Sequence, residues 1–111
     1  MTRKIATRKF TDTIRNDLRN SPEFGGALLS EAVACMVAGD LETGKIVLRE
    51  YVHGTVGFPS LGAALGRSPK SLMRMLGPRG NPQARNLFEM VAYLQKAEGY
   101  VLRISPAPAA A

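Results

Sequence analysis

The sequence predicts an all-α protein, a compact bundle of about five to six short helices. Three observations carry this. Apolar residues recur every three or four positions through most of the chain. Helix punctuation is dense: Ser21-Pro22-Glu23, Asp40 and Ser68-Pro69 read as starts, and Gly39, Gly66 and Gly99 as stops. Only Tyr100–Ile104 (YVLRI) is β-prone, which leaves a short C-terminal β-strand as an option.

At 111 residues the chain is one domain by the usual size rule. Residues 1–20 read as a basic N-terminal arm with a short helix, 21–104 as the folded domain, and 105–111 as a disordered tail. The arm's Arg3, Lys4, Arg8 and Lys9 suit either a solvated tail or a segment tracking a nucleic-acid backbone. Phe10, Ile14 and Leu18 recur at i, i+4, i+8 and predict a helix to about Arg19. The second helix starts at the Ser21 cap and carries two apolar ridges, Phe24-Leu28-Ala32-Met36 and Leu29-Val33-Val37. Gly25-Gly26 inside it is read as a packing feature. Asp40 caps a third helix whose Leu41, Val47, Leu48, Tyr51 and Val52 should face inward, with Gly44 marking a close helix crossing.

Phe58–Leu76 reads as a helix-turn-helix. Leu61 and Leu65 lie before the turn, and Leu72, Met75 and Leu76 after it. Gly66 supplies the turn, Ser68 the next cap and Pro69 the first helical position. A helical hairpin in a plain bundle would show the same spacing, so charge has to decide. Residues 51–88 contain Arg67, Lys70, Arg74, Arg79 and Arg85 and no Asp or Glu, within a chain of net charge +6. A one-signed surface over such a motif is what contact with double-stranded DNA requires. Ser68, Lys70, Ser71 and Arg74 would then face the major groove, and Met73 a thymine methyl. Ser60, Arg67, Arg79 and Arg85 would hold phosphates. A short recognition helix reads few base pairs, so a homodimer on paired half-sites is expected. After Gly77–Gly80, Asn81 and Pro82 read as cap and first-turn proline of a last helix from about Gln83 to Ala97, with Ala84, Leu87, Phe88, Val91 and Leu94 on its core face.

Catalysis finds little support. The chain has one His and one Cys, no metal-ligand spacing, no phosphate-binding glycine loop and no nucleophile elbow. His53 is expected at the last carbonyls of its helix, and Cys35 as a buried thiol. Neither enzyme activity, metal nor cofactor is expected. No apolar run is long enough to cross a membrane and no apolar stretch follows the basic start, so the expected location is the cytoplasm.

Several stretches together resemble the HigA-like addiction-module antidote family, helix-turn-helix antitoxins of the phage-repressor (λ-repressor-like, Xre) type. They are Ser21-Pro22-Glu23 leading to Ala38-Gly39-Asp40, Ser60-Leu61-Gly62 through Gly66-Arg67-Ser68 to Ser71-Leu72, Gly80-Asn81-Pro82, and Gly99-Tyr100-Val101-Leu102, across roughly residues 21–104. The resemblance implies an autoregulating repressor that neutralises a small basic RelE/HigB-like toxin, an mRNA interferase. Two positions depart from the family pattern. Arg67 stands where such motifs are usually apolar, so it is expected to snorkel from the turn. Gly62 replaces a usual alanine, read as a mild change. Two alternatives remain: a stand-alone or phage-derived regulator without a toxin, and an interaction module that binds no DNA.

Overall fold

A computed structural model describes residues 8–110, with side chains from residue 12. It contains six helices and no strand among the described residues: α1 (Arg8–Asn20), α2 (Pro22–Val37), α3 (Leu41–Gly54), α4 (Phe58–Leu65), α5 (Pro69–Met75) and α6 (Ala84–Glu98). None is long and apolar enough to cross a membrane. Expectations for residues 1–7, including Arg3 and Lys4, lie outside the described residues.

The caps explain where the helices begin. Ser21 Oγ accepts from Phe24 N (3.2 Å), and Pro22 takes the first position of α2. Asp40 Oδ1 accepts from Thr43 N (3.2 Å), and hydrogen bonding from the Thr43 side chain, then from its backbone, holds the carboxyl below the usual range. Ser68 Oγ accepts from Ser71 N (3.1 Å). Each satisfies an amide that a helix start leaves unpaired.

Helices α2 and α3 make the most extensive pair, and α1 lies across both. Gly44 marks the crossing of α2 and α3: a Cβ there would sit 2.8 Å from Met36 Cγ and 3.2 Å from Ala32 O. The α1 helix is part of this body. Leu18 is buried in the core, and Arg15 Nε meets Glu50 Oε1 at 3.2 Å. The second half of the bundle is α4 packed on α5 and α6, with α3 bridging to α4. One core runs through both halves, from Leu29 and Ala32 through Leu48, Tyr51 and Val52 to Phe58, Leu61, Leu72, Leu76, Leu87, Met90 and Leu94. Burial pushes the Tyr51 phenol up from its usual range.

Several expectations change. Phe88 is 64% exposed, and Ala84 is exposed too. The inward face of α6 is Leu87, Met90, Val91 and Leu94, so the predicted stripe was rotated. The α6 helix starts at Ala84 after Gln83; Asn81 and Pro82 belong to the preceding loop. Val37, the last residue of α2, is exposed, although Met36 beside it packs against Gly44 of α3. Leu41 and Val47 are half-buried, whereas Lys45, a polar residue on the same helix, is buried. Cys35 is half-exposed, its Sγ 3.5 Å from Glu31 Oε2, and is no core thiol. His53 packs its ring edge-on against Phe58 at 4.9 Å.

Residues 100–104 form no strand. Two amides turn back to α6, Tyr100 N donating to Gln95 O (2.9 Å) and Leu102 N to Gln95 Oε1 (2.7 Å), while the Tyr100 hydroxyl reaches across the fold to donate to Pro22 O of α2. The Tyr100 ring lies beside Gly25 and Gly26, which accounts for that glycine pair. Residues 105–110 are exposed and carry neither helix nor strand.

Candidate nucleic-acid interface

Helices α4 and α5 are joined by three residues, 66–68. Gly66 has φ +70°, the left-handed conformation that lets α4 stop within one residue. Gly62 O accepts from both Gly66 N and Arg67 N (3.0 Å for the latter), so the chain folds back over α4. A Cβ on Gly62 would stand 2.5 Å from Arg67 O and 3.4 Å from Pro69 N. The glycine is therefore no mild change here: the turn closes directly on it.

The seven residues of α5 divide cleanly. Leu72, with Leu76 just beyond the helix, faces the core. Lys70 and Arg74, at i and i+4, share the exposed face, and Ser71 is half-exposed beside them. Met73 is half-buried and packs against the core, so only part of it is presented outward.

The loop after α5 folds back under its end. Gly77 N donates to Arg74 O (3.1 Å), and Gly80 N to Gly77 O (3.0 Å). A Cβ on Gly80 would run into the carbonyl oxygens of Arg74 and Met75. An open cleft of about 260 Å³ lies between helix and loop, lined by Ser71, Arg74, Met75, Arg79, Gly80, Asn81 and Pro82. Arg74 and Arg79, ten or more residues from any acid in sequence, thus border one concavity.

The remaining candidates behave differently. Arg67 is exposed, and its Nη2 donates to Asn86 Oδ1 (2.9 Å), which ties the turn to α6. Arg85 pairs with Glu89 at 3.5 Å one turn along α6. Ser68 uses its oxygen as the α5 cap. Ser60 is exposed in the first turn of α4. Lys70, Arg74 and Arg79 make no ion pair or side-chain hydrogen bond with any described residue. Of the candidate cations, these three are the ones left to meet a polyanion. No group of His, Cys, Asp and Glu suited to a metal occurs among the described residues.

Sequence reasoning missed Lys45, which reaches from α3 to the loop after α5. Its Nζ donates to Gly77 O (3.0 Å) and Gly80 O (2.7 Å). An amphipathic reading places Lys outside by default, and only its spacing with Leu41 and Leu48 on the inward side of α3 hinted otherwise.

Comparison with known proteins gave no match: no family model, no curated protein and no solved structure is similar to this chain.

Proposed function

We propose that this protein is a sequence-specific, double-stranded-DNA-binding repressor. The observation that carries the reading is the exposed face of α5. It presents Lys70, Ser71 and Arg74 beside Arg79, with no acid between residues 51 and 88 to repel a phosphate backbone. Arg74 is the base-reading candidate, because a planar guanidinium matches guanine O6 and N7. Arg79 and Lys70 take phosphates and set the register. Arg67 and Arg85, already engaged by Asn86 and Glu89, contribute less. The chain acts as a homodimer, because one seven-residue helix covers too few base pairs.

The biological role we assign is the antitoxin of a toxin–antitoxin pair, repressing its own operon and holding a small basic toxin. This part rests on the motif order from Ser21-Pro22-Glu23 to Gly99-Tyr100-Val101-Leu102. Selection from a random-sequence duplex pool tests the DNA reading: enrichment of a two-fold symmetric site supports it, and a pool left unenriched refutes it. Co-expression with the product of the adjacent reading frame tests the antitoxin role. Rescue of growth arrest and co-purification support that role, and an innocuous or absent neighbour supports a stand-alone regulator.

A further inference from the structure

Lys45 is a charged side chain sealed in the core, 1% exposed. It starts on α3 and ends under the loop that follows α5. Two of its three N–H donors go to Gly77 O (3.0 Å) and Gly80 O (2.7 Å), and the Glu42 carboxylate stands 3.5 Å away. Gly80 N in turn donates to Gly77 O, and Gly77 N to Arg74 O at the end of α5. A single side chain of the α2–α3 body thus grips the segment that carries Arg74 at one end and Arg79 in its middle. Beyond those two backbone hydrogen bonds the segment supplies no side-chain anchor of its own, since Pro78 and Arg79 are exposed and Gly77 and Gly80 have no side chains.

Burying an ammonium is a poor way to gain stability alone. An apolar side chain of the same length fills the space without the desolvation cost. What the lysine adds is geometry: a fork of carbonyls meets one donor in one loop conformation.

We propose that Lys45 is a positioning residue for DNA recognition, fixing the end of α5 and the Arg79 loop so that both arginines meet the duplex in one register. It does not touch DNA, being buried. The inference rests on the DNA-binding reading above.

The test uses the full chain with Lys45→Met, which keeps length and volume and removes the donors. The probes are the duplex of about 30 base pairs, three helical turns, that wild type selects from a random pool, and a mixed-sequence duplex of equal length. Binding is followed by fluorescence anisotropy at a temperature where circular dichroism shows both proteins folded. The preference for the selected over the mixed duplex should fall about tenfold, the size of one base contact. Binding to mixed sequence should fall much less. A lowered melting temperature with unchanged preference overturns the proposal, because a merely structural lysine would do only that. If wild type selects no duplex, the DNA reading itself fails, whereas a selective wild type with an equally selective variant defeats the Lys45 inference alone. Should Lys45→Met not fold, Gly80→Ala displaces the same loop from α5 with Lys45 intact. It should lower the preference similarly, and an unchanged preference overturns the proposal.

Discussion

Gly62→Ala puts the helix-turn-helix closure to a direct test. In an exposed helix interior the change would stabilise the chain by about 1 kcal/mol, because alanine is the better helix former. Position 62 is buried and faced by backbone. Its Cβ would be 2.5 Å from Arg67 O, about 1 Å inside ordinary contact, and 3.4 Å from Pro69 Cδ. A carbonyl oxygen cannot rotate aside as a side chain can. The turn must open, which strains the Arg67 N to Gly62 O bond of 3.0 Å and lifts Leu72 from the core. Overpacking costs about 1–3 kcal/mol, and an overlap of this depth with a backbone oxygen belongs to the upper part of that range, about 2–3 kcal/mol. After subtracting the propensity gain, a net loss of about 1–2 kcal/mol is expected, or very roughly 4–10 °C in Tm for a domain of this size. Urea titration followed by circular dichroism reads it. A variant as stable as wild type, or more so, would refute the close approach on which the motif's geometry depends.

Other expectations follow from the same contacts. Arg79→Ala should weaken binding to selected and mixed duplexes alike and reduce the salt slope by about one, as read from anisotropy titrations over a range of salt. Arg85→Ala should change affinity far less than Arg79→Ala in the same titrations, because its guanidinium is shared with Glu89; equal losses would contradict that ranking. Burial, with Arg15 nearby, lowers the His53 pKa from its ordinary 6.5. The unfolded chain therefore takes up the proton first as pH falls, and stability declines from about pH 6.5 downward through the lowered folded pKa. Urea midpoints of His53→Gln should depend less on pH than those of wild type across that window.

The helical part of the fold was legible because its signals are local. Ser21, Asp40 and Ser68 cap helices where the sequence placed caps, and Gly39, Gly66 and Gly99 adopt positive φ where it placed stops. What depended on tertiary partners was not legible. Phe88 fits an amphipathic stripe as well as Met90 does, and only the direction from which α4 packs on α6 decides which is covered. The β-prone Tyr100–Leu102 needs a neighbouring strand, and the Gln95 amide takes its place. At the candidate site the cations could be named from sequence, but not their partners: Asn86 and Glu89 divide Arg67 and Arg85 from Lys70, Arg74 and Arg79. Lys45 was invisible because its acceptors lie 32 and 35 residues away and are main-chain carbonyls.

The central claim is that α5 reads base edges through Arg74. The most direct measurement compares wild type and Arg74→Ala on the selected duplex and on versions of it substituted one base pair at a time, at matched salt. Wild type should discriminate at a guanine in each half-site, and Arg74→Ala should lose about 1–3 kcal/mol there and tolerate any base at that position. Identical affinity and identical base preference in the two proteins would contradict the account.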